Sequence, residues 1–400
     1  MKLAIISPGF VPAPAVKGGA VEKLIEYFID GNEKDHKYDI DLYTVDDILL
    51  ENKKYKYTKL IRVKNKQKKF IYKVFYALAN RISNFLNINK HYSYVESKFI
   101  KKYKLNYYDA ILIENNMDIY KKIYPKLKKE KIYFHLHNDI DCGDPAKTKE
   151  KTNFILKTAD KIFVVSYFLK NKLVNLKPSE ASKIKVVYNG VISRNFKKLS
   201  KEENIKLKEK YQIKNNDIIF SFVGRFDANK GIDKLIKALK ELKNVPNLKC
   251  LLIGDSFFGT KAEGKYINSL KNEALAVKDK LIFTGYIENE QLYKLYSISD
   301  CVVIPSQWEE VFGVVALEAM TMGKPVIASI SGGLPEVLSK DCALFVKRDK
   351  NFVKNLSNAM RKMYTQPSLR KLLGENGKKR SKEFPTNEKD YYETVSQYIE

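Results

Sequence analysis

The chain has 400 residues, 44% of them hydrophobic and 30% charged, with a formal net charge of +26 at pH 7. That length exceeds one ordinary core and suits two domains of about 200 residues each. No run of 18 apolar residues occurs, which excludes a transmembrane helix, and the opening Met1–Ser7 segment is too short for a signal peptide. The charge is uneven: residues 51–110 carry 16 Lys/Arg against 3 Asp/Glu, a net +13. Such a surface favours a polyanionic partner, either anionic lipid or nucleic acid. Cys142, Cys250, Cys301 and Cys342 show no metal or disulfide spacing, so they read as reduced core residues of a cytoplasmic protein.

The first predicted strand, Lys2–Ile6, runs through a Pro/Gly loop to Lys17-Gly18-Gly19-Ala20. A helix follows with Val21, Leu24, Ile25 and Phe28 on one face. This strand–glycine loop–helix unit outlines a phosphate-type site but lacks the G-x-G-x-x-G pattern of a nicotinamide fold. Asp39–Tyr43 is the second strand. In the basic stretch after it, Phe70, Val74, Phe75, Leu78, Ile82, Phe85 and Leu86 recur at spacings of three and four. They predict an amphipathic helix that either lies on an anionic membrane or packs on its own domain. Ala110–Ile113 ends in Glu114-Asn115-Asn116, and Lys131–Leu136 runs into His137-Asn138-Asp139. Alternation puts His135 and His137 on one side of that strand. Lys161–Ser166 is a further strand, and Lys197–Asn216 a charged surface helix past a boundary near residue 192.

In the second half, Ile218–Val223 delivers Gly224-Arg225-Phe226-Asp227-Ala228-Asn229-Lys230-Gly231, and the helix Ile232–Leu242 starts at once. Two cations beside a helix N-terminus suit a diphosphate. Strands at Leu248–Ile253 (followed by Gly254-Asp255), Leu281–Thr284 (followed by Gly285-Tyr286) and Asp300–Pro305 lead to the densest stretch, Ser306 to Glu336. There Glu310 precedes Phe312-Gly313-Val314, a helix carries Glu318, and a strand at Pro325–Ala328 ends in Gly332-Gly333-Leu334-Pro335-Glu336. Glu310 and Glu318 are two helical turns apart if one helix runs through both. Carboxylates and glycine turns thus gather where parallel strands end, the ligand edge of an open α/β sheet.

Glu310 and Glu318 around Phe312-Gly313, with Gly323-Lys324-Pro325 and Gly332 to Glu336, resemble the signature of the family 4 retaining glycosyltransferases. The likeness covers most of the chain, strongest over 218–336 and weakest over 44–110, and departs at Val311, where many relatives carry proline. It implies the GT-B architecture, two Rossmann-like domains facing each other across a donor-binding cleft. The expected domains are an acceptor-binding one at 1–191, a nucleotide-sugar-binding one at 192–380, and a helix at 381–400 that crosses back to the first. By the same resemblance, Gly18 and Gly19 approach the donor diphosphate and Arg225 and Lys230 bind its phosphates. The backbone near Tyr286 borders the base, and the N–H groups of Phe312, Gly313 and Val314 stabilise charge on the phosphates. Glu310 holds the donor sugar, Glu318 the ribose hydroxyls, and His137 orients the sugar.

The resulting expectation is a retaining transferase that moves a sugar from a nucleotide-diphosphate donor to a hydroxyl, with no cofactor and no essential metal. Asp139-Ile140-Asp141 matches the Asp-x-Asp metal motif of the other large glycosyltransferase fold, GT-A, but so does Asp39-Ile40-Asp41 within a strand. The setting expected is lipid-linked polysaccharide or glycolipid assembly, by a cytoplasmic protein peripheral to the inner face of the cell membrane. Two alternatives stand beside it: a soluble acceptor, and a nucleic-acid-binding protein on a Rossmann scaffold. The basic residues form no nucleic-acid reading module, so nucleic acid is not the expected partner.

Overall fold

The computed structural model describes residues 1–66, 69–85, 93–141, 145–254 and 265–400. Leu86, Cys142 and Asp255, singled out above, lie outside them, as does Lys68 of the basic stretch. The chain divides into two units, residues 1–189 with 387–400, and residues 190–386. The boundaries drawn from the sequence stood at 191/192 and 380/381.

The first unit is built on seven parallel strands: β1 (Lys2–Ile6), β2 (Asp39–Val45), β3 (Thr58–Val63), β4 (Ala110–Glu114), β5 (Lys131–Leu136), β6 (Lys161–Val164) and β7 (Ile184–Val186). Their order is β3-β2-β1-β4-β5-β6-β7. The chain winds outward from β1 to β3 and then returns to lay β4 on the other side of β1. The β1/β4 boundary is therefore the topological switch point, where open α/β sheets bind ligands beyond the strand ends. Leu3 to Ile6 and all of β4 are buried, as expected of strands covered on both faces. Strand β3 was not anticipated: Lys59 and Arg62 interrupt its apolar residues, which is how an exposed sheet edge protects itself.

The C-terminal helix, Glu388–Ser396, belongs to this unit and packs on the helix Ala20–Asp35. Gly31 makes the approach possible, because a Cβ there would stand 2.3 Å from the Cβ of Tyr392. The Tyr392 hydroxyl donates to Asp35 at 2.9 Å, and its ring lies 5.2 Å from that of Phe28.

The predicted amphipathic helix forms as Phe70–Phe85 and meets its domain through Tyr72 and Tyr76, whose rings lie 4.8 and 6.3 Å from that of Tyr94, but the apolar residues that predicted it do not join that contact. Phe70, Ile71, Phe75, Leu78 and Phe85 are all exposed, Phe70 and Phe85 at 80% and 85%. Among the described residues no helix is long and apolar enough to cross a membrane.

The second unit repeats the plan with six strands: β8 (Ile218–Val223), β9 (Leu248–Ile253), β10 (Leu281–Gly285), β11 (Cys301–Ile304), β12 (Val326–Ser329) and β13 (Ala343–Val346), in the order β10-β9-β8-β11-β12-β13. Its switch point is the β8/β11 boundary. Ile232, Leu235, Ile236 and Leu239 of the helix Ile232–Glu241, at spacings of three and four, join Phe220, Phe222, Leu252 and Val303 in one core. Cys250, Cys301 and Cys342 are buried free thiols.

Candidate active site

In the second unit, the exits of β8, β11 and β12 bring the expected residues together. Beyond β8, the Asp227 carboxylate accepts from the Lys230 amide at 3.0 Å and fixes the turn. It also lies 3.5 Å from Arg225, whose side chain is 45% exposed. Lys230 donates to Glu310 Oε1 at 2.7 Å and sits 5.1 Å over the Trp308 ring. Ser306 donates to the same Glu310 oxygen at 2.7 Å. Burial alone would raise the Glu310 carboxyl, but the Lys230 ammonium overrides it and holds the group below its ordinary range. Glu310 is therefore an anion at neutral pH, with one oxygen committed to lysine and serine.

The loop from β12 presses directly against this residue. Gly333 N donates to Glu310 O at 2.6 Å, and Ser331 Oγ accepts from Glu310 N at 3.1 Å. Gly332 has φ +49°, and a Cβ there would stand 2.1 Å from Glu310 O, so the position excludes any side chain. Glu309, beside it, pairs with Arg348 and accepts from Gly332 N. The Glu310 loop is thus held by an acid–base pair 39 positions apart in sequence.

Helix Val314–Thr321 starts only after this loop, so Glu310 does not lie on it and the two-turn spacing to Glu318 does not apply. Its N-cap is Gly313, at φ +99°, without a side-chain cap. Its first-turn amides are left without the usual capping acceptor, an arrangement that accommodates an anion. The Phe312 side chain is fully buried against Phe384 at 5.8 Å between rings. Glu318 accepts from the Tyr296 hydroxyl at 2.8 Å. Burial pushes its carboxyl up to about 7, with that hydrogen bond only partly offsetting the effect. Tyr286 stands further off, just past the edge strand β10, with its hydroxyl 3.3 Å from Glu288.

In the first unit, β1, β4 and β5 end together. Gly18 and Gly19 both have positive φ, and Gly19 caps the helix Ala20–Asp35. A Cβ on Gly19 would meet Glu22 Oε2 at 2.2 Å, so the Glu22 carboxyl occupies the space above that glycine. Burial pushes Glu22 up to about 7, with the nearby Glu114 charge adding to the shift. His137 Nε2 is 2.7 Å from Glu114 Oε2, and the His135 ring lies 3.9 Å from that of His137. Burial and then His135 lower His137 to about 4, so its imidazole is neutral. Asp139 and Asp141, the Asp-x-Asp pair, are both bound by Lys172 at 2.7 Å.

Glu22, Glu114, Ser306, Trp308 and the Glu309–Arg348 pair were not singled out from the sequence. A carboxylate at the end of an apolar strand was the one local signal for Glu114. Nothing local marks Arg348.

Two doubly wound parallel sheets, each gathering its polar residues at a switch point, define the GT-B glycosyltransferase fold. The family model described as "Glycosyl transferases group 1" matches residues 203–380, which make up most of the second unit. Full-length similarity extends to the putative glycosyltransferase YtcC of Bacillus subtilis strain 168, 26% identical over 95% of this chain and 87% of that one. The lipopolysaccharide 1,2-N-acetylglucosaminetransferase of Salmonella typhimurium is 31% identical over 57% of this chain and 56% of its own. Among solved structures, Anabaena Alr3699/HepE in complex with UDP-glucose superimposes with a TM-score of 0.75. It is 18% identical, and the match covers 100% of this chain and 99% of that one.

Proposed function

We propose that this protein transfers a sugar, with retention of anomeric configuration and without an essential metal, from a nucleotide-diphosphate donor to a hydroxyl. The observation that carries the reading is the group at the β8/β11 switch point: Arg225, Lys230 and an uncapped helix N-terminus beside two glutamates. The anomeric carbon–phosphate oxygen bond breaks, and its electron pair leaves with the nucleoside diphosphate. A new bond forms between that carbon and the acceptor oxygen, and the acceptor proton passes to the departing phosphate. Negative charge thus grows on phosphate oxygens, where Arg225, Lys230 and the amides of Phe312, Gly313 and Val314 stabilise it with preset charges and dipoles. Glu310, anionic through Lys230, keeps its second oxygen for a sugar hydroxyl or for the positive anomeric centre. Glu318 accepts from the ribose hydroxyls, the loop at Tyr286 borders the base, Gly18 and Gly19 approach the diphosphate, and His137 orients the sugar.

The reading without a metal rests on the same charges. The Asp139–Asp141 pair is already bridged by Lys172, which offsets one of its two charges and suits a structural role. A UDP-glucose complex of a protein with this fold supports a nucleotide sugar as donor, and the Salmonella relative supports an envelope glycan as product. We assign the acceptor to a lipid-linked glycan and the protein to the cytoplasmic face of the cell membrane. The exposed apolar face of helix Phe70–Phe85 supports this, flanked as it is by Lys64, Lys66, Lys69, Lys73 and Arg81. A helix exposing aromatic rings between cations matches an anionic lipid surface. The test is the proton NMR coupling at the anomeric centre of the product formed from an α-linked donor. An α-linked product is expected; a β-linked one overturns retention.

A further inference from the structure

Three consecutive residues, the last of β4 and the two that follow it, each hold a different part of the first unit's site. Asn116 caps the helix Met117–Ile123 and donates to Pro8 O at 3.1 Å, which ties down the loop after β1. Asn115, in the left-handed region at φ +55°, accepts from the backbone amide of His137 at 3.1 Å. Glu114 turns its carboxylate on the His137 ring, 2.7 Å from Nε2. The backbone and ring of His137 are therefore each held by this one segment. Its Nδ1 has no hydrogen-bond partner among the described residues.

We propose that Glu114 is the positioning residue for His137, fixing the neutral Nε2–H tautomer so that Nδ1 is presented as an acceptor to a hydroxyl of the donor sugar. This rests on the reading of His137 given above. A neutral imidazole has one donor and one acceptor nitrogen, and the partner of the first decides which is which. Here the partner is an anion. Burial would raise the Glu114 carboxyl, but His135 and then His137 beside it hold the group well below its ordinary range. A carboxylate accepts only, so Nε2 must carry the proton. The other groups that face it agree with that state. His135 Nδ1 lies 3.2 Å from the same oxygen. Glu22, from the helix Ala20–Asp35, is pushed towards its uncharged form by burial first, and Tyr391, from the C-terminal helix, is kept a neutral phenol. His135 is wholly buried and neither of its nitrogens has a full hydrogen bond. It serves as a wall, its ring against that of His137, and leaves the tautomer to Glu114.

The same three side chains have the composition of a two-histidine, one-carboxylate metal set, so the test must separate the two roles. The chain has four histidines, few enough to assign every ring by histidine-selective ¹⁵N NMR of the full-length protein. In the wild type, His137 is expected as a single Nε2–H tautomer from pH 6 to 8. In Glu114→Gln the amide offers the ring either an oxygen or an N–H, so both tautomers should appear. With it, kcat for transfer should fall about 10- to 100-fold, the loss expected for one hydrogen bond to a charged group. Binding of the free nucleoside diphosphate should stay within about twofold. Glu114→Asp should recover part of the rate. A wild-type His137 that is charged or protonated on Nδ1 overturns the proposal, and needs no variant to fold. So does wild-type kcat in a folded Glu114→Gln protein when His137→Ala is inactive. If His137→Ala itself transfers normally, the reading of His137 fails instead. One equivalent of zinc or iron in purified wild-type protein, lost in Glu114→Gln, would make the cluster a metal site and overturn the positioning role.

Discussion

Removing Lys230 should have two separable consequences, because its ammonium serves a buried carboxylate as well as the proposed diphosphate. In Lys230→Ala, Glu310 keeps only the Ser306 hydroxyl on the oxygen that lysine held. An unpaired buried carboxylate costs about 3–5 kcal/mol, but the protein can avoid the upper part of that range by protonating it. Taking up a proton at pH 7 on a carboxyl of ordinary pKa about 4.3 costs about 3.7 kcal/mol. We therefore expect a loss of about 3 kcal/mol, or roughly 6–12 °C in Tm for a unit of this size. The pH dependence has a definite sign. Without lysine the folded pKa of Glu310 lies above its unfolded value, so stability is retained below the unfolded pKa and lost as pH rises through the folded one. The Tm deficit of Lys230→Ala should accordingly shrink as pH falls from 7 to 4.5. The double variant Lys230→Ala/Glu310→Gln removes the orphan charge and should regain most of the Tm. The single variant Lys230→Ala should transfer about 30- to 1000-fold more slowly, from about 2–4 kcal/mol of lost phosphate stabilisation. Differential scanning calorimetry at several pH values, with transfer rates measured on the folded proteins, checks both parts. Wild-type Tm and rate in Lys230→Ala would refute the reasoning outright.

Three further outcomes follow from the same geometry. Glu318 must lose its proton to accept two ribose hydroxyls, and burial holds its carboxyl at about 7. Calorimetric affinity for an intact nucleotide sugar should therefore rise with pH from about 6 to 8, and Glu318→Gln should flatten that dependence. Glu310→Gln should spare binding of the free nucleoside diphosphate and slow transfer, whereas Glu318→Ala should weaken both ligands. Reversing the charges of Lys64, Lys66 and Lys69 should release the protein from anionic vesicles in a sedimentation assay, since each cation near such a surface contributes about 1 kcal/mol. Sedimentation unchanged at physiological salt would place the membrane face elsewhere.

The second unit was the more legible half, for physical reasons. Its strands are short apolar runs closed by glycine or proline, and its candidate ligand groups, Arg225, Lys230, Glu310 and Gly313, lie in the loops that directly follow strand ends. The two-turn spacing of Glu310 and Glu318 required one helix through both, and that condition fails because the helix begins only after Gly313, past a loop that Gly332 and Gly333 hold from another strand. Phe312 looked like a site residue and is a core residue in its side chain, since only its backbone lies at the turn. In the first unit, β3 was hidden because lysine and arginine interrupt its apolar pattern. The tie between Glu114 and His137 was hidden because it joins neighbouring strands 23 positions apart. The clamp of Glu309 by Arg348 was unreadable for the same reason.

The central claim is that fixed cations at the β8 exit, with no divalent ion, hold the donor diphosphate. It is tested most directly by isothermal titration of nucleotide-diphosphate sugars into the purified protein in excess EDTA. Wild type should bind at least one donor, Arg225→Ala should bind it at least about 30-fold more weakly, and Asp139→Ala should bind it much as wild type does. Binding that vanishes in EDTA, returns with Mg²⁺ or Mn²⁺, and depends on Asp139 rather than Arg225 would contradict the account.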